Sequence, residues 1–291
     1  MSKHKKLSKP SKNNSNDRIE PNEAIIEVVS GNVVTTAKKD RSPYVWQRGG
    51  LDFKMNIREH YIWTAKQEVM LETMFYKNTR CVFIDGAWGT GKTTLAVFAA
   101  LQMLNSGKCK GIKYIRNPIE SSKSCTVGIL PGSLEERLTP YMAPFWEKMD
   151  EFLCKGDIDK LEKDERIECN AVGMIRGTNW AAECCIVDEA VGLSWEDLLL
   201  VLSRAGNFTR VFVIGDSLNQ NDLGHQSGFK RMFDLFSDQE SKDNGVYTFE
   251  LREEDDVLRS GFVKYIMKKC GVINTKPRIS TDLTEPMFLS K

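Results

Sequence analysis

The sequence predicts an α/β fold, a mostly parallel sheet flanked by helices. Three observations carry that prediction. Short apolar runs alternate with longer helical stretches between two polar chain ends, the order expected when each strand is followed by a helix that crosses back over the sheet. Several runs are continuously apolar, as in strands covered on both faces. One run leads directly into a glycine-rich turn and a helix, "CVFIDGAWGTGKTTLA", residues 81–96.

Taken in order, residues 1–23 form a Lys-rich tail with too little apolar surface to offset the entropy of ordering. Its lysines are either simply solvated or a weak attraction for RNA or DNA. Residues 24–50 read as a short β segment or linker, in which "AIIEVVSGNVVTT" suggests a hairpin turning at Gly31-Asn32. The main domain is expected over residues 51–271. It opens on an amphipathic helix, "WTAKQEVMLETMF". Strand candidates follow at 81–85, 112–116, 167–175, 184–188, 211–215 and 246–251. The helix after the glycine-rich turn should stop at Ser106-Gly107. Residues 147–168 carry mixed charge and read as an exposed helical excursion. A polar tail occupies 272–291.

Gly86, Gly89 and Gly91 with Lys92 and Thr93 match G-x-x-x-x-G-K-[ST]. Glycine admits backbone conformations closed to other residues, so consecutive N–H groups can point at one anion, and the positive end of the next helix adds to the field. The candidate phosphate cradle is Gly86, Ala87, Trp88, Gly89, Thr90, Gly91, Lys92, Thr93 and Thr94. Its strand-turn-helix setting is the one the motif requires.

A cradle binds; hydrolysis also needs a carboxylate for the metal and a group that orients water. "CCIVDEA" supplies both at the carboxyl end of an apolar run, the edge where such sheets hold ligands. Asp188 and Thr93 are the candidate Mg²⁺ residues, and Glu189 the group that polarises water. Ser194 with Asp197 already provides the cap for the next helix, which leaves the acidic pair free. The run "RVFVIGDSLNQNDL" places Gln220 where an amide can sense the terminal phosphate, or else forms a plain turn. Gln67 has the amide that can pair with adenine; spacing alone equally allows a solvent-facing residue.

Composition narrows the classes further. The formal charge is +1, without the basic excess of a dedicated nucleic-acid-binding domain. Eight cysteines are scattered with no C-x-x-C pair, and no run approaches a membrane span. The expectation is a cytoplasmic protein with reduced thiols, Cys81, Cys184 and Cys185 serving as small apolar strand residues.

"IRNPIE", "GILPG" followed by "LEERLTPYMAPFWE", "MIRGTNW", "IVDEA", "LSRAG", "GDSLNQNDL" and "DDVLRSGFVKYI" stand in an order that resembles the PhoH-like ATPases, over roughly residues 60–270. The resemblance implies a P-loop NTPase with a superfamily-one-helicase-like core, in the single-domain or phage-encoded branch. It implies ATP and Mg²⁺ as ligands, turnover coupled to RNA or single-stranded DNA, and a homo-oligomer such as a hexameric ring. It also implies Gln67 as an adenine contact and Arg259 as an arginine finger, acting on its own or a neighbouring cradle. Arg176 and Arg204 match family arginines or make surface salt bridges. Three positions depart from the pattern. Trp88 replaces a small cradle residue, Val191 replaces a glutamine, and one extra residue before Gln220 makes Asn219 an alternative sensor. The competing readings are a nucleotide-binding switch or scaffold without turnover, and a small-molecule kinase.

Overall fold

The computed structural model describes residues 27–29, 32–34, 51–117, 134–218 and 227–274. Contacts divide the chain into two units, Met1–Gln47 and Arg48–Lys291. In the first, β1 (Glu27–Val29) and β2 (Asn32–Val34) pair antiparallel with Val29 opposite Asn32. The two strands therefore pair as expected, but Asn32 belongs to the second strand and not to a turn at Gly31-Asn32.

The second unit runs α1 (Ala65–Phe75), β3 (Cys81–Gly86), α2 (Lys92–Asn105), β4 (Gly111–Arg116), α3 (Leu134–Phe152), α4 (Lys155–Lys163), β5 (Ile167–Asn170) and β6 (Glu183–Asp188). It continues with α5 (Trp195–Leu202), β7 (Arg210–Gly215), α6 (Phe229–Leu235), α7 (Gln239–Asp243), β8 (Val246–Leu251) and α8 (Gly261–Lys269). Six strands form one sheet in the order β5-β4-β6-β7-β3-β8, and every pairing is parallel. The sheet is thus wholly parallel, not merely mostly so.

Apolar periodicity explains why these segments became strands. All six residues of β3 and of β6 are buried, and successive side chains point to opposite faces. Val82 and Ile84 enter the core shared with α1, α2, α3 and α4, whereas Cys81 and Phe83 enter a second core with α5 and α6. The seven described cysteines are unpaired, and Cys81, Cys184 and Cys185 are buried strand residues as expected.

Two expectations need correction. The strand expected at 167–175 ends at Asn170, because its partner Ile115 is one residue from the end of β4; Val172–Ile175 forms a 3₁₀ turn that buries Val172 and Ile175. The excursion after residue 147 is helical but not simply exposed. Phe152, Leu153, Ile158 and Leu161 belong to the first core, a helical spacing that its surrounding charges obscured. Helix α2 does stop at Ser106, with Gly107 at φ +67° releasing the chain and the Gly107 and Lys108 N–H groups donating to Leu104 and Met103 carbonyls. Among the described residues no helix is long and apolar enough to cross a membrane.

Candidate functional site

The carboxyl ends of β3, β6 and β7 open onto one cleft of about 270 Å³, lined by Trp88, Gly89, Gly91, Lys92, Thr93 and Thr94 on one side and by Asp188 and Glu189 on another. Sheet order brings these groups together, since β7 alone separates β3 from β6. The cradle turns through positive φ at Gly89 (+79°) and Gly91 (+78°) before α2 begins. Lys92 folds back, its Nζ donating to the carbonyls of Gly86 at 2.8 Å and Ala87 at 2.9 Å. Burial lowers the Lys92 pKa, while the carboxylates of Asp216, Asp188, Glu189 and Asp85 oppose that shift.

Not every cradle residue reaches the cleft. Gly86 lies against Leu251, where a Cβ would sit 2.7 Å from the Leu251 carbonyl. Ala87 and Thr90 are buried, and the Thr90 hydroxyl donates to the Ala87 carbonyl. Gln67 is likewise fully buried behind the loop. Its Oε1 accepts from the Thr64 N–H and its amide donates to the carbonyls of Thr90 (3.1 Å) and Asp256 (3.4 Å). Both amide hydrogens are engaged within the chain, so Gln67 braces the cradle and neither faces solvent nor presents donors to the cleft.

Asp188 accepts the Tyr114 hydroxyl at 2.7 Å and the Glu189 N–H at 2.9 Å. The Thr93 hydroxyl lies 3.3 and 3.4 Å from its two oxygens. A hydroxyl beside a buried carboxylate is an all-oxygen donor set, which suits Mg²⁺. Glu189 adopts a left-handed backbone, φ 51°, and its Oε1 stands 3.8 Å from Arg116 Nη2. Burial first, and then the neighbouring Asp188 charge, raise the Glu189 pKa above that of an ordinary glutamate.

Arg259 lines the cleft of its own chain. Its Cγ would be 2.9 Å from a Cβ on Gly89, and Leu258 donates its N–H to the Gly89 carbonyl at 3.0 Å. Trp88 lines the cleft and also packs on a small cluster with Val257 and Met267, while Val191 is buried in the second core. Arg204 bonds to the carbonyls of Leu200 and Thr178, and Arg176 is exposed; neither lines this cleft. Gln220 and Asn219 lie outside the described residues.

Several neighbours of the cleft were not singled out from the sequence. Tyr114 and Arg116 occur as ordinary strand residues, and only the register of β4 against β6, Arg116 opposite Asp188, sets them beside the acidic pair. Behind the cradle, Arg252 bridges Asp85 at 2.8 Å and Asp216 at 3.1 Å, while the Ser217 hydroxyl and N–H donate to Asp85. Tyr61, Lys148 and Glu151 complete the cleft wall.

Residues 61–270 match the family described as PhoH-like protein. Curated relatives include a PhoH-like protein of Synechocystis sp., 31% identical over 188 residues that cover 64% of this chain and 55% of the relative. Another, from Bacillus subtilis, is 30% identical over 192 residues, covering 66% and 58%. A third, from Mycobacterium leprae, is 31% identical over 188 residues, covering 64% and 52%. The chain thus spans a little over half the length of these relatives. With the family match extending over most of its length and the cradle and acidic pair in one cleft, the chain belongs to the PhoH-like protein family.

Proposed function

We propose that the chain binds ATP with Mg²⁺ and hydrolyses it, and that turnover is coupled to RNA or single-stranded DNA. The observation that carries the reading is the convergence of Lys92, Thr93, Asp188 and Glu189 on one cleft at the carboxyl edge of a parallel sheet. Gly89, Gly91 and the start of α2 would present the cradle to the phosphates, and Lys92 supplies a positive charge held by two carbonyls. Thr93 and Asp188 would hold Mg²⁺, which would neutralise charge on the terminal phosphates. Glu189, whose pKa lies above the ordinary value, is suited to take up a proton from the attacking water. Arg259 acts in cis in this reading, because its side chain rests on the cradle of its own chain. The phosphate sensor is assigned to Gln220 or Asn219.

The test is phosphate release from ATP with and without RNA, single-stranded DNA and duplex at one stated salt concentration. Glu189→Gln is expected to lower release by about 10²–10⁴-fold while ATP binding persists. A chain that binds ATP and shows equal background release in wild type and variant is a switch, not a hydrolase. Rates unchanged by every polymer would remove the nucleic-acid coupling. Assembly into a homo-oligomeric ring, implied by the resemblance alone, is read by light scattering.

A further inference from the structure

The two threonines that open α2 face different neighbours. Consecutive helical residues project about 100° apart. Thr93 meets Asp188, whereas Thr94 lines the same cleft as Tyr61. The cleft therefore has two poles. One holds the acidic pair; the other holds Tyr61, Lys148 and Glu151. In the second, Tyr61 donates its hydroxyl to Glu151 Oε2 at 2.5 Å, and Lys148 Nζ contacts Glu151 Oε1 at 2.5 Å. The Tyr61 ring stacks on Trp63 with centroids 5.1 Å apart and planes 14° from parallel, and Trp63 packs on Phe98 of α2. The carboxylate is thereby fixed relative to the helix that opens the cradle.

A carboxylate beside a triphosphate is repulsive unless it meets donors, and the donors that a ribonucleoside triphosphate carries beyond its phosphates include the 2′ and 3′ hydroxyls. We propose that Glu151, positioned by Tyr61 and Lys148, reads those hydroxyls, so that the site selects ribonucleoside over 2′-deoxyribonucleoside triphosphates. This rests on the ATP reading above, with terminal phosphates at the Thr93–Asp188 pole. An ionised carboxylate accepts about four hydrogen bonds, and two are occupied by Tyr61 and Lys148, which leaves sites for hydroxyl donors. An acidic residue plays the same part toward the ribose in dinucleotide-binding sheets. Burial opposes ionisation of Glu151, but hydrogen bonds from Lys148 and Tyr61 hold its pKa below the ordinary value, so it is an acceptor at neutral pH.

The experiment is calorimetric binding of ATP, 2′-deoxy-ATP and 3′-deoxy-ATP to the full chain with Mg²⁺. The wild type is expected to bind ATP about 10- to 100-fold more tightly than the 2′-deoxy form, the range for one hydrogen bond to a charged group. Glu151→Gln should shrink that ratio to about 3-fold or less, with ATP still bound. Tyr61→Phe keeps the ring on Trp63, deletes only the hydroxyl, and should lower the ratio as well; it decides the matter if Glu151→Gln does not fold. Equal wild-type affinities for ATP and 2′-deoxy-ATP, or a ratio unchanged in both variants, overturn the proposal while leaving ATP binding intact. Failure of the wild type to bind any of the three overturns the ATP reading and this one with it.

Discussion

Two polar clusters flank the cradle, and they are built from similar side chains under different constraints. Behind it, Arg252 (4% exposed) is clasped by Asp85 (1%) and Asp216 (0%), with contacts of 2.8 and 3.1 Å, and Ser217 donates its hydroxyl and N–H to Asp85. In front, the Tyr114 hydroxyl and the Glu189 N–H hold Asp188 at 2.7 and 2.9 Å, but the Thr93 hydroxyl stands 3.3 Å from Asp188 and Arg116 stands 3.8 Å from Glu189, beside the open cleft. The first cluster is satisfied and ties the ends of β3, β7 and β8 together. The second keeps two carboxylates adjacent, and burial first, then the neighbouring Asp188 charge, raise the Glu189 pKa, so that the pair does not stabilise the fold. A closed ion network holds position; an open one leaves charge available to a ligand.

The largest expected effect breaks that contrast directly. Removing one partner of a buried ion pair strands the other, so Arg252→Ala should cost about 3–5 kcal/mol in urea unfolding. Glu189→Gln should stay within about 0.5 kcal/mol of wild type. Equal losses in the two variants would mean that the front cluster is structural too. Next comes the turn between the clusters. Gly91 has φ +78°, and an added Cβ would lie 2.6 Å from Leu258 Cδ1. Gly91→Ala should therefore cost about 1–2 kcal/mol from backbone handedness alone, with a lower melting temperature and weakened ATP binding. Unaltered melting would show that the turn does not need the left-handed conformation at position 91.

A smaller effect separates the helix cap from the acidic pair. Ser194 and Asp197 form a reciprocal capping box on α5, so Ser194→Ala should lose about 1 kcal/mol. Phosphate release at a temperature where both proteins are folded should not change; a selective loss of activity would tie the cap to the chemistry. The smallest effect is a pH dependence at the other pole. Glu151 titrates lower folded than unfolded, so its stabilisation is complete above the ordinary carboxyl value of about 4.3 and disappears as pH falls through the depressed folded value. The pair is partly exposed, which limits it to about 0.5 kcal/mol. The melting difference between wild type and Glu151→Gln should accordingly be full at about pH 7 and shrink as the pH is lowered below about 4. A difference that grew on acidification would reverse the sign assigned to Glu151.

Much of the site was legible because its parts are local. The cradle is a backbone requirement met by three glycines within six residues, and Asp188-Glu189 sits where a buried run must end. Arg259 came from the family pattern, and the structure adds that it lies on its own cradle. Gln67 was legible as a residue but not in its setting. Its capping box with Thr64 and its bonds to Thr90 and Asp256 depend on α1 packing beneath the loop. The strand end at Asn170 was misread because sequence shows where a strand is permitted, while the length of its neighbour decides where pairing stops.

The sequence by itself determined the wholly local features: the glycine-rich turn, the apolar strands, the stop of α2 and the cap of α5. Each follows from conformational and burial demands within a few adjoining residues. Tertiary structure alone decided which polar groups meet. Tyr114 reaches Asp188 across 74 residues and Arg252 reaches Asp85 across 167. Those meetings are set by strand order and register, which depend on the packing of the whole sheet and leave no periodic mark along the chain.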